Sequence, residues 1–152
     1  MSERITAVLS GGGAKAAAHL GALRALAAAG LAPTRYVGTS MGAVIASALA
    51  AGAGFAEVEA RLLSVRNREV FRIDRRAVLM GMFARSLLRP EPFRQVLERL
   101  LPVPRFSELQ VPLSITATDL DSGELVVFGA GGSEVPLLDA LCASCALNRP
   151  RT

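Results

Sequence analysis

Aromatic side chains are scarce in this chain: 152 residues hold no tryptophan, one tyrosine and six phenylalanines. No aromatic-basic stacking platform and no recognition motif is present, so nucleic acid is not an expected partner. Cysteine is limited to Cys142 and Cys145, a single C-x-x-C. With no second pair and no further ligands, a metal site is not expected, and the two read as small core-facing residues of a helix. His19 is the sole histidine. It falls inside the first predicted helix and reads as structural. No histidine follows Ser40, which excludes the nucleophile–acid–histidine order of the α/β-hydrolases. The longest uncharged run, 36–56, is broken by Gly38, Ser40, Gly42, Gly52 and Gly54, so it reads as strand plus buried helix and not as a membrane span. Residues 1–13 lack the extended apolar core of a cleaved leader. A cytoplasmic location, peripheral at the membrane, is the expectation.

What is abundant is small and apolar. Hydrophobic residues make up 51% and charged residues 20%, which excludes a disordered chain. The length suits one domain, 1–152, with a core of Ala, Val and Leu. Lys15 is the only lysine; every other basic residue is arginine apart from His19. The arginines cluster. Segment 61–105 holds eleven of them against Glu69, Asp74, Glu91 and Glu98, interleaved with apolar residues such as Leu62, Leu63 and Phe71. That mixture suits docking on an anionic lipid surface. It equally suits a solvated helical cap over a core.

Two glycine-containing loops carry the chemistry. The apolar run 5–9 reads as a buried parallel strand and ends in Ser10-Gly11-Gly12-Gly13-Ala14-Lys15, before a helical pattern over 15–29 closed by Gly30. Bare backbone N–H groups in such a loop can hold a phosphate or an oxyanion. Residues 11–16 fit G-x-G-x-x-A, the dinucleotide fingerprint, but the next strand ends in Ser40 where that fingerprint needs an acid. A Walker loop fails because Lys15 is not followed by Ser or Thr. The second loop is Gly38-Thr39-Ser40-Met41-Gly42, a G-x-S-x-G between the short run 35–37 and the small-residue helix 41–51. Strand, sharp turn and helix are the setting of a nucleophile elbow, in which Gly38 and Gly42 make room and the helix N-terminus favours charge developing at Ser40. The alternative is a glycine-rich turn with a serine N-cap.

Ser10-Gly11-Gly12-Gly13-Ala14-Lys15, Ala18-His19-Leu20-Gly21 and Gly38-Thr39-Ser40-Met41-Gly42-Ala43 together resemble the patatin-like phospholipases, in particular their bacterial members. The segment 117–124, Ala-Thr-Asp-Leu-Asp-Ser-Gly-Glu, is similar to a further block of that family, as are Leu138-Asp139-Ala140 and Ala143-Ser144-Cys145-Ala146. The resemblance implies a lipid acyl hydrolase with a Ser–Asp dyad and no cofactor. Ser40 would be the nucleophile; Gly11, Gly12 and Gly13 would form the oxyanion loop, and Lys15 its basic position. Ala16 stands where the family usually has glycine. The family's Asp lies in an Asp-Gly motif on a later strand, and this chain contains no Asp-Gly dipeptide. Asp74 lies in the variable middle, Asp119 and Asp121 match another block, and Asp139 lies on a predicted helix, so none is assigned as the base. The expectation is a C-terminally incomplete hydrolase, inactive by itself, whose Asp lies beyond this chain. A non-catalytic remnant that binds lipid or protein is the alternative, and a nucleotide-binding module a more distant one.

The remaining pattern predicts a helical middle, a helix from Pro90 to about Leu101, strands over 111–117 and 124–128 joined by a turn at Asp121-Ser122-Gly123, and a last helix over 136–147. Strands alternating with helices predict an α/β fold in three layers with a mostly parallel central sheet. The two loops would meet at the carboxyl ends of the first two strands, where open α/β sheets bind ligands.

Overall fold

A computed structural model of the chain describes residues 4–64, 90–101 and 103–146. Its centre is a four-stranded sheet in the order β1-β2-β3-β4. β1 (Thr6–Leu9), β2 (Arg35–Thr39) and β3 (Leu113–Thr118) run parallel, and β4 (Leu125–Gly129) returns antiparallel to β3. The fold is therefore α/β with a mostly parallel sheet and flanking helices, as the alternating pattern predicts. The register places Leu9 beside Gly38 and Thr39 beside Thr116, so the carboxyl ends of all three parallel strands share one rim. At the opposite rim, the Arg35 guanidinium donates to the Ala130 carbonyl (2.9 Å) and to Ser114 Oγ (3.0 Å), tying the strands together away from the site.

The first predicted helix is split. Residues Gly13–Ala17 form a 3-10 turn, and α1 follows at Ala18–Ala28. The tighter winding starts with Lys15 N–H on the Gly12 carbonyl (3.2 Å), an i→i−3 bond, after Gly12 and Gly13 turn the chain at φ 149° and 57°. α1 ends at Gly30, where the Leu31 N–H reaches the Leu26 carbonyl (2.9 Å) and the Gly30 N–H reaches Ala27 (3.0 Å). That is a Schellman motif at the glycine the sequence marks.

α2 (Met41–Ala50) is the central helix, with every residue from Gly42 onward buried. A helix apolar on all sides must be enclosed. Gly42, Ala43, Ala46, Ala48 and Ala50 keep it thin, and it lies against β1, β2 and β3. Its one buried polar side chain, Ser47, donates to the Ala43 carbonyl at 2.7 Å and so leaves no orphan donor. α3 (Phe55–Ser64) packs on α2 and α1; α4 (Pro90–Leu100) packs on α5 (Leu137–Cys145), which lies on β3. Leu9, Ile45, Leu97, Leu113, Ile115, Leu137 and Leu141 fill the interior. Each such side chain contributes about 1.5–3 kcal/mol through removal from water.

The arginine-rich stretch lies largely outside the described residues, which omit 65–89 and with them Asp74, and the polar tail 147–152 lies outside them too. Among the described residues no helix is long and apolar enough to cross a membrane, and no group of three or more His, Cys, Asp or Glu is placed to hold a metal ion.

Candidate active site

β2 ends at Thr39 and α2 begins at Met41, which leaves Ser40 alone to make the turn. Among the described residues it is the only non-glycine with positive φ, at φ 53° and ψ −129°. A serine held there costs about 1–3 kcal/mol, so the surroundings must over-determine it. The two glycines of the G-x-S-x-G explain how. A Cβ on Gly38 would stand 2.5 Å from Ala43 Cα and 2.8 Å from its nitrogen, because the first turn of α2 folds back over β2. A Cβ on Gly42 would overlap the carbonyl oxygens of Leu9 and Ser10, because α2 abuts the end of β1. One glycine permits the elbow, and the other lets the elbow reach the first loop.

The first loop arrives at the same place. A Cβ on Gly11 would lie 3.1 Å from Ser40 Cβ and 3.7 Å from Ser40 Oγ, so the bare Gly11 backbone borders the hydroxyl. Gly13 heads the 3-10 turn and Met41 heads α2, so the N–H groups of Gly13, Ala14, Met41 and Gly42 have no partner within their own helices. These donors, with the positive ends of two helical segments, favour an anion beside Ser40. The arrangement suits a serine attacking a carbonyl whose oxygen becomes an oxyanion.

The Lys15 side chain lies exposed on the 3-10 turn and makes no hydrogen bond among the described residues. His19 Nε2 lies 3.1 Å from the Ser10 carbonyl and 3.5 Å from Ser10 Oγ. It therefore braces the loop from α1, as its structural reading expects. The carboxylates are engaged elsewhere. Asp119 accepts from the N–H groups of Asp121 (2.8 Å) and Ser122 (3.1 Å) in its own turn, which holds its carboxyl below the ordinary range, Ser122 being the larger cause. Asp139 pairs with Arg94 at 2.9 Å. Among the described residues no carboxylate or imidazole hydrogen-bonds Ser40 Oγ.

The resemblance marks Ala143-Ser144-Cys145-Ala146 as a block but gives Ser144 and Cys145 no role; α5 brings both beside Ser40. The Ser40 N–H donates to Ser144 Oγ at 2.7 Å, and Ser144 Oγ donates to the Thr116 carbonyl at 2.7 Å. Next to it, Cys145 is buried, which pushes its thiol up to about 11; a hydrogen bond with Ser40 acts the other way. Cys142 is half-buried beside Arg94, so the C-x-x-C sits in helix packing as its sequence reading expects. No local pattern assigns Ser144 its partners, because they lie 104 and 28 residues away.

Known proteins are similar to this chain. Two NTE family proteins, of Mycobacterium tuberculosis and Mycobacterium bovis, are each 31% identical over 146 residues, covering 96% of this chain and 38% of the relative. The chain thus spans well under half the length of these relatives. The crystal structure of the type III effector protein ExoU superposes with a TM-score of 0.60 at 19% identity, covering 95% of this chain and 39% of that one. A chain in the complex of full-length SpcU with full-length ExoU, from the type III secretion system of Pseudomonas aeruginosa, superposes at 0.61 and 20% identity, covering 97% and 39%. At that identity the likeness is one of fold. The family model described as patatin-like phospholipase matches residues 7–147, almost the whole of the sequence, and on that match the chain belongs to the patatin-like phospholipase family.

Proposed function

We propose that this chain carries the nucleophile and oxyanion loops of a serine acyl hydrolase acting on lipid carboxylic esters. The observation that carries this reading is Ser40 as the one non-glycine at positive φ among the described residues, with the bare backbone of Gly11 beside its hydroxyl. Ser40 Oγ attacks the ester carbonyl. The N–H groups of the 11–14 loop and of the start of α2 receive the oxyanion, each such donor being worth about 2.7–4 kcal/mol in related chemistry. The alcohol leaves and an acyl-Ser40 ester remains for water to hydrolyse. The proton of Ser40 goes to a carboxylate supplied from outside the described residues, which completes a Ser–Asp dyad and passes that proton to the departing alkoxide. Family membership supports the lipid ester as substrate. The arginine-rich stretch 61–105 supports docking on an anionic membrane surface.

One observation favours a second reading. With no carboxylate or imidazole hydrogen-bonded to Ser40 Oγ among the described residues, the chain by itself binds a lipid ester without turning it over. Hydrolysis of p-nitrophenyl esters and labelling by a fluorophosphonate separate the two. Under the first reading the chain extended by the segment that supplies the Asp shows both, and Ser40→Ala in it reduces both to background. Under the second, hydrolysis is absent and lipid still binds. Flotation with vesicles tests the docking surface: binding to phosphatidylglycerol vesicles should exceed binding to phosphatidylcholine vesicles, and should fall as salt rises. Equal binding to both would remove the electrostatic part.

A further inference from the structure

Ser40 has one backbone donor that regular structure does not use. Its N–H comes after the last residue of β2, and the first N–H taken by the turn of α2 is that of Ala43, which reaches the Ser40 carbonyl at 2.9 Å. At φ 53° the residue is strained, and it would relax toward an ordinary β or α conformation unless something held that N–H in place. The holder is Ser144, on the last turn of α5. Its hydroxyl oxygen accepts from the Ser40 N–H at 2.7 Å, while its own proton goes to the Thr116 carbonyl at 2.7 Å. The hydroxyl is therefore fixed at both ends and has no freedom to turn away. The residue before Ser40 is pinned to the same strand, through Thr39 Oγ1 and Thr116 Oγ1 at 2.6 Å.

We infer that Ser144 is a positioning residue: its hydroxyl, bridging the Ser40 N–H and the Thr116 carbonyl, holds the elbow in the strained conformation that presents Ser40 Oγ. The bridge couples the carboxyl end of β3, the elbow and the end of α5, so a shift of α5 moves the nucleophile. The catalytic meaning of this rests on the reading of Ser40 as the nucleophile; the bridge itself does not. Alanine at 144 removes the acceptor and leaves a half-buried N–H unpaired, whereas threonine keeps the hydroxyl in a half-buried site.

The test compares the full chain with Ser144→Ala, Ser144→Thr and Ser40→Ala by three measurements. These are amide exchange by NMR, fluorophosphonate labelling resolved into binding constant and maximal rate, and thermal melting. In Ser144→Ala the Ser40 amide should exchange at least about tenfold faster while the Ile45 amide, in the middle of α2, keeps its protection. The maximal labelling rate should fall about tenfold with the binding constant within about twofold, and Ser144→Thr should restore both readouts. Unchanged exchange at Ser40 in Ser144→Ala overturns the inference. So does a loss of labelling that tracks the melting temperature and that threonine fails to restore. If Ser40 of the unaltered chain takes no label at all, the chain by itself does not activate Ser40, and the amide readout still decides whether Ser144 holds the elbow.

Discussion

Gly38 and Gly42 look alike in the motif and do different work in space. Gly38 meets backbone atoms of Ala43, and Gly42 meets the Leu9 and Ser10 carbonyls. Neither obstacle can rotate away, so an added methyl forces α2 off the sheet. Gly38→Ala and Gly42→Ala should each lower unfolding stability by about 1–3 kcal/mol or more, read from denaturant midpoints. Gly42→Ala should also separate the two loops and cut labelling of Ser40. Gly21 is the control. It lies exposed within α1, and a Cβ there meets nothing within 4 Å. Gly21→Ala should therefore raise stability by about 0.5–1 kcal/mol through better helix propensity. A drop for Gly21→Ala equal to that for Gly42→Ala would mean that packing does not distinguish the sites. The need for small residues around Ser40 was legible in the motif. Which atoms demand them was not, because those atoms belong to the end of β1, to Ser10 and to the first turn of α2.

The hairpin between β3 and β4 shows what an element can do without burial. Asp119 lies at the end of β3, exposed, and organises the turn through its carboxylate. The Gly123 N–H closes the turn on the Asp119 carbonyl at 2.8 Å, and the Asp119 N–H takes the Glu124 carbonyl at 2.9 Å. The side chain's value is lowered from its ordinary 3.8 by the Ser122 and Asp121 N–H groups. A lowered folded value means that the turn is supported above the ordinary value, and that this support is lost as pH falls through the lower one. As pH falls below the ordinary carboxylate range, amides of residues 121–124 should lose protection in the unaltered chain. In Asp119→Asn, which keeps an acceptor oxygen without a titrating proton, that pH-dependent step should vanish. Its persistence in Asp119→Asn would assign it to another group. The predicted turn at Asp121-Ser122-Gly123 lies within this hairpin, and the strand boundaries shift by one or two residues. The 3-10 start of the first helix could not be read in advance, since its cause is the pair of backbone angles at Gly12 and Gly13.

Across the molecule, β1 is an edge of the sheet, and Val8 on it is 70% exposed. β4, on the other side, is partly covered by Ser133, which bridges Phe128. An unpaired edge such as β1, with an exposed aliphatic residue, templates strand addition. The chain should therefore associate as concentration rises, and Val8→Lys should restore monomer, as read by sedimentation or light scattering. Association that is indifferent to Val8→Lys would place the contact elsewhere. The relatives are far longer than this chain, each being matched over 38% of its length.

Local features of the sequence determined the strand–loop–helix units, the elbow at Ser40, the loop at Gly11, Gly12 and Gly13, and the α/β class. Each of these depends on neighbours a few residues apart: a glycine beside a serine, a β-rich run before a small-residue helix. Only the tertiary structure decided that Gly11 borders Ser40 Oγ, that His19 braces Ser10, and that Ser144 holds the Ser40 N–H. Those contacts join residues from 9 to 104 positions apart. They exist because parallel strands carry their loops to one rim and a crossover chain returns α5 to it. Local pattern cannot encode which distant hydroxyl will fill an unpaired donor; only the packed fold does.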